Sequence, residues 1–249
     1  MILNRRLPHN PFLQRRLPGV QPLGDPWLYV SDTHAAQMAA RRHLIATARD
    51  DVIWAAPQAA AAVDEMLDMV IDALPDGYTR QGDSVIRADG YRVPLDRADP
   101  LATLGHLVQE DFCLMMPDGG EHALQAAVLC FPSSWRLREK AGRRLVSIHV
   151  PVPEYDASIA ARVQRLFDGV QIGRPLTRNN LIWADRAVLY NPKTEFAHHY
   201  GRTDAAPYLR TERQCLVRLP RSGGVVFSIH TFLMDRAGAL ALQAAAAVA

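Results

Sequence analysis

His149 stands between a short apolar run, LVSI, and the tetrapeptide VPVP, so two prolines, Pro151 and Pro153, stiffen the chain just beyond it. Proline fixes φ and gives up an amide donor, so a histidine here is oriented by its backbone. A neutral imidazole on a stiff element suits a ligand or an acid–base group, the plainer alternative being a hydrogen-bonded structural histidine. The segment leading to it, CFPSSWRLREKAGRRLVSIH, holds Trp135 and then five cations: Arg136, Arg138, Lys140, Arg143 and Arg144. A second charged group lies in YLRTERQCLVRLPRSGGVVFSIHTF. On a strand, Arg210, Glu212 and Gln214 project to one face and Thr211, Arg213 and Cys215 to the other. Across the hairpin, His230 shares a face with Ser228 and Phe232. Such a charged row either faces water or lines a polar pocket.

The remaining candidates are weaker. Glu110 and Asp111 in VQEDF form either a buried acid site or a solvated helix end. Neighbouring His198 and His199 point apart on an extended chain, so they suit solvated loop positions better than one metal site. Cys113, Cys130 and Cys215 are widely spaced, which excludes a disulfide framework or a paired-cysteine zinc site and suits small core residues in a reducing compartment. HExxH, GxSxG, GxGxxG and GxxxxGK[ST] are all lacking, so metalloprotease, α/β-hydrolase, dinucleotide and P-loop chemistry have no motif here.

Elements must position these residues. Residues 1–30, with Pro8, Pro11, Pro18, Pro22 and Pro26, read as an extended basic arm packed by Phe12, Leu13, Trp27 and Leu28. Its Arg5, Arg6, Arg15 and Arg16 face no acid within residues 1–24, so the arm is expected to lie over an acidic part of its own fold. A helix is expected from Asp32 or Thr33 to about Arg49, and another from about Pro57 to Leu74. In the second, Val63, Met66, Leu67, Val70, Ile71 and Leu74 form an apolar stripe opposite Asp64, Glu65, Asp68 and Asp72. A hairpin turns at Asp89–Gly90. Asp99 before Pro100 caps a helix expected to reach about Phe112. Strands are expected at Leu114–Met116, Leu124–Phe131, Leu145–Val150 and Leu181–Tyr190, and a hairpin at Arg213–Leu219 and Val225–Leu233. Ser158–Phe167 reads as helix and residues 236–249 as an Ala-rich tail.

Helices first, then strands in hairpins with one interposed helix, give an α+β domain with an antiparallel sheet over residues 31–235. The 249-residue chain, 49% hydrophobic and 22% charged, can bury a sizeable core. A net charge of +2 makes no case for nucleic acid or a membrane surface. With no apolar run of spanning length and no signal-peptide core at the start, a cytoplasmic protein is expected.

The segments VQEDFCLM, CFPSSW, Lys140–Gly142, IHVPVP, RNN and YLRTERQ…RLPRSGGVVFSIHTF occur in one order and spacing over roughly residues 22–235. In this the chain resembles the haem-dependent oxidative N-demethylase alpha-subunit-like family. The resemblance implies a PAS-like sheet holding haem b, its iron bound by the protein, and oxygen-dependent removal of a methyl group from a small amine. A separate reductase subunit carrying flavin, iron–sulfur or both would bring electrons. It makes His149 the axial ligand, against which a cysteine thiolate is the alternative. Arg136, Lys140 and Arg178 become partners of the haem propionates and Trp135 a cofactor contact. Glu212, then Asp111, is the acid that delivers protons, with Glu212, Arg210 and His230 around the amine. One position departs: Leu181 follows Arg178, Asn179 and Asn180 where the family pattern has tryptophan, and Trp183 lies two residues on. The competing class is a haem-binding sensor or carrier module without turnover.

Overall fold

A computed structural model describes residues 1–13, 19–149, 157–194 and 205–248. Pro151, Pro153, Arg15, Arg16, His198, His199 and the side chain of His149 lie outside the described residues. The elements in order are β1 (Gln21–Pro22), α1 (His34–Thr47), α2 (Arg49–Val52), β2 (Ile53–Ala55), α3 (Ala60–Asp72), β3 (Thr79–Gln81), β4 (Ser84–Ile86), β5 (Arg92–Pro94), α4 (Pro100–Leu107), β6 (Asp111–Asp118) and β7 (Glu121–Val128). After them come α5 (Leu137–Lys140), α6 (Leu145–His149), α7 (Ala157–Gly169), β8 (Leu176–Asn179), β9 (Ile182–Ala184), β10 (Tyr208–Arg218), β11 (Val225–Asp235) and α8 (Arg236–Ala246).

The chain is a mixed α+β fold about one antiparallel sheet in the order β1-β8-β10-β11-β6-β7-β2, with β9 also on β10 and a separate small sheet β3-β4-β5. The pleat sorts the side chains of each strand between two cores. Phe112, Leu114, Ala126, Val128, Cys215, Val217 and Val226 join the core under α3 and α4, here the N-terminal face. Their neighbours Cys113, Met115, Leu124, Ala127, Leu216, Val225 and Ile229 join the core shared with α5–α7, here the insert face.

Several expected elements are present for the expected reasons. Asp99 accepts from the Ala102 amide and Pro100 takes the first helical position of α4. Asp235 likewise accepts from Gly238 N, so the alanine-rich tail forms α8 directly after β11. In α3 the apolar stripe is buried as expected, but Glu65 is buried with it. Its carboxyl accepts from the amides of Arg221 and Ser222, fixing the β10–β11 turn.

Other expectations are corrected. The α4 helix stops at Leu107, because Val108 is already extended and Asp111 opens β6. The run expected as strand Leu145–Val150 is instead helical at Leu145–His149, although Val146 and Ile148 are β-branched. Both ends of this short helix are held by side chains of the sign that suits them: Glu121 accepts from Val146 N, and Lys140 Nζ donates to Ile148 O at 2.6 Å. Leu181–Tyr190 is not one strand: only Ile182–Ala184 pairs, and Leu176–Asn179 supplies the neighbour of β10. Leu13 is 57% exposed rather than packed. The arm docks through buried Asn4, which exchanges bonds with Leu233 and reaches Asp32, while Arg5 and Arg6 are exposed. It also contributes β1 to the sheet.

Candidate functional site on the insert face

Glu212 is 5% exposed in the middle of β10 and carries a full set of donors. Its Oε2 accepts from Asn180 Nδ2 at 2.7 Å and Gln214 Nε2 at 3.0 Å, and its Oε1 lies 3.4 Å from the Nε of Arg210 and from one of its terminal nitrogens. Asn180 Oδ1 also accepts from the Glu212 amide, and the Asn180 amide donates to the Glu212 carbonyl. The RNN turn thus brackets this residue, main chain and side chain together. Arg210 is 3% exposed and is held by the carbonyls of Phe131, Val188 and Leu189. Burial lowers its pKa, opposed by Glu212. It ties three segments together and aims its remaining edge at the acid.

Arg178 pairs in register with Gln214 and so shares the face of Glu212. Its pKa is lowered by burial, with Glu212 opposing, and it makes no hydrogen bond among the described residues. Beyond these polar groups the face turns apolar, with Cys113, Ala127, Leu216 and Ile229 buried and Trp54, Trp135, Ile148 and Phe227 packed against them. Trp135 follows Ser134, which adopts φ 62° and is pinned to Asn191 through both main chain and side chain. A non-glycine residue in the left-handed region is a strained position that its surroundings must hold.

The other candidates scatter. Arg136 is exposed. Lys140 is 5% exposed, with its ammonium on the Ile148 carbonyl. Among the thiols only Cys113 lies on the insert face, and burial raises its pKa first, with Asp111 and Glu212 adding to the shift. Cys130 is pushed up to about 12 by burial, and Cys215 is raised in the same way. Burial thus favours the thiol over the thiolate at all three positions.

Asp111 and Glu110 are both buried rather than solvated, and being consecutive they serve different faces. Asp111 receives Arg41 at 2.5 Å and the amides of Cys130 and Phe131 at 2.7 and 2.8 Å, a full complement that ties β6 to the chain beyond β7. Glu110 accepts from Tyr29 N and meets His230 Nδ1 at 3.0 Å. Because Arg213 pairs with His230, His230 lies on the N-terminal face, opposite Glu212 and Arg210. There it stacks on Phe232 at 4.3 Å, beside Tyr29 and His9 of the arm. The structure therefore brings Glu212, Arg210 and Arg178 together, with Trp135 on the adjoining apolar surface, and sets His230 apart.

Nothing in the sequence marks Asn180 as a site residue beyond its place in the RNN pattern. The His9–His230–Glu110 cluster was invisible, since nothing local places His9 against a strand more than two hundred residues away. Among the described residues no group of three His, Cys, Asp or Glu could hold a metal ion, and no helix is long and apolar enough to cross a membrane. Residues 19–238 match the family model described as haem-dependent oxidative N-demethylase, alpha subunit-like.

Proposed function

The chain belongs to that haem-dependent oxidative N-demethylase, alpha subunit-like family, and from this premise we propose that it holds haem b on the insert face and removes a methyl group from a small methylated amine. The alpha-subunit description implies a multi-subunit enzyme. The partner in this reading is a reductase bearing flavin, iron–sulfur or both.

The observation that carries the reading is the company Glu212 keeps. A buried carboxyl and a half-buried cation that makes no hydrogen bond among the described residues lie side by side at the margin of an apolar surface. Haem asks for an apolar bed, a cationic or hydrogen-bonding group for its propionates, and one side-chain ligand. The insert face meets the first two requirements with its aliphatic floor and Arg178. Exposed Arg136 is a further cation at the rim. The third role falls to His149, on the C-terminal end of α6. Support for a PAS-like sheet comes from strand order, because β6-β7 and β8-β10-β11 enclose a helical insert between the second and third strands of that set.

When bound, the haem supplies activation of O2 for hydroxylation of an N-methyl carbon. The balance is one methylamine, one O2, two electrons and two protons giving a carbinolamine and water; the carbinolamine then releases formaldehyde and the demethylated amine. Glu212 receives the substrate ammonium and stands where protons are needed. Arg210, fixed by three carbonyls, and Asn180 hold its carboxyl in one orientation, so little reorganisation remains on binding. Asp111 is already occupied by Arg41 and two amides and is left to the scaffold in this reading. A buried acid beside the apolar bed favours turnover over a sensor, which has no use for one.

Reconstitution with haem is expected to give a Soret band, lost or altered in spin state in His149→Ala. Glu212→Gln keeps shape and is expected to retain haem, weaken amine-induced spectral shifts and slow formaldehyde release roughly 10²–10⁴-fold. Native turnover by the glutamine variant, with an undiminished response to amine, would remove Glu212 from the site.

A further inference from the structure

Lys140 invites a different role from that of a propionate partner. At 5% exposed, its ammonium costs stability unless it is well paired, and it donates to a main-chain carbonyl. That carbonyl belongs to Ile148, the residue before His149, at 2.6 Å. The main chain of Lys140 closes the same loop from the other side, its carbonyl accepting from Arg143 N at 3.0 Å. Gly142, at φ 71°, donates to Leu124 O, and Leu124 N donates to Arg143 O, so the turn is strapped to the middle of β7. The helix α6 then starts at Leu145 and returns its last turn onto the lysine.

We infer that Lys140 is a positioning residue for the proposed haem ligand: its ammonium clasps the C-terminal carbonyl end of α6 and fixes the backbone of His149. The inference rests on the proposed role of His149. A five-residue helix has too few internal bonds to hold itself, so its geometry must come from what grips its two ends. Glu121 at the first turn and Lys140 at the last do so, and Lys140 grips next to the ligand. Groups that orient a metal ligand, rather than touch the metal, typically matter 10–100-fold for metal retention.

The test uses the haem-reconstituted full chain. Lys140→Met keeps the stem and removes the donor; Lys140→Arg restores a cation of similar reach. Two quantities are measured: the rate of haem transfer to excess apomyoglobin, and amide hydrogen exchange over residues 145–149. The methionine variant is expected to lose haem roughly 10–100-fold faster and to exchange faster at 145–149, with both largely restored in the arginine variant. Faster haem loss with unchanged exchange would assign Lys140 to the haem itself and overturn the clasp. Faster exchange with unchanged haem loss would overturn the positioning role. If Lys140→Met does not fold, Lys140→Gln, which cannot reach as far, carries the same comparison, and native values in it would overturn the clasp. Failure of the underlying reading is separate: His149→Ala would then keep the native haem spectrum, whatever Lys140 does.

Discussion

The two faces of the central sheet each bury an acid against a basic partner, yet the two are built for different ends. On the N-terminal face Glu110 meets His230 and the Tyr29 amide, beneath the arm and beside a core filled by two well-formed helices, α3 and α4. On the insert face Glu212 is held by Asn180, Gln214 and Arg210, next to an apolar layer whose helices α5 and α6 have four and five residues. The insert face also carries α7, as long as α3, so the contrast lies in α5 and in α6, whose ends are gripped by side chains. Burial of charge alone does not separate the two cases. The two acids differ in what holds them: Glu110 takes one backbone amide and one imidazole, and Glu212 takes the side chains of Asn180, Gln214 and Arg210.

Asp111 marks the boundary, and its removal is the severest test. It neutralises Arg41, which is fully buried, and accepts two amides at the corner after β7. Asp111→Ala leaves that guanidinium without its counter-charge, so a loss of about 3–5 kcal/mol is expected. The measurement is the urea midpoint at constant m-value. Glu212→Gln, on the candidate-site side of the comparison, is expected to shift that midpoint far less. Equal losses from the two would dissolve the distinction between scaffold acid and site acid.

The pH dependence of stability sharpens the same contrast from the other face. The pKa of His9 is lowered to about 4, mainly by burial and then by Arg213 and His230. Between pH 6.5 and 4 the unfolded chain therefore binds a proton that the folded chain refuses. Stability falls as pH drops through that window and the loss levels off below it, by at most about 3 kcal/mol. His34, His106 and His122 are also lowered by burial and act in the same direction. His9→Gln is expected to flatten part of the fall, read from urea midpoints between pH 7 and 4. An unchanged slope would mean that the arm leaves the sheet before His9 titrates.

Sequence alone reached the strands of the β6–β7 and β10–β11 hairpins, the capped helix α4 and the charged row of β10, because alternation and capping are local signals. It reached Glu212 with Arg210 for the same reason, since residues two apart share a face on any strand. It failed at α6, where β-branched residues promised a strand and the grip of Glu121 and Lys140 decided otherwise. It also gathered His230 with Glu212, because within one hairpin only the pairing register tells which residues share a face. The cations after Trp135 looked alike in sequence; exposure divided Arg136 from Lys140.

The smallest expected effect concerns Leu181, where the resemblance leads one to expect tryptophan. Leu181 and Trp183 pack together against Leu209, Met234 and Ala239, with Phe12 of the arm and Leu242 of α8. Arg236 lies over the Trp183 ring at 5.1 Å. This cluster lies at the α8 end of the sheet, away from the apolar layer beneath α5–α7. Leu181→Trp enlarges a side chain that is only half-buried, so neighbours can yield, and a change within about 1.5 kcal/mol is expected. The Soret band and the amine-induced shift should not move, because the bonds from Asn180 to Glu212 run through the preceding residue and leave position 181 free to vary. A changed haem or amine spectrum in Leu181→Trp would mean that the α8 cluster and the insert face are coupled through Asn180, and the two faces would no longer be separable units.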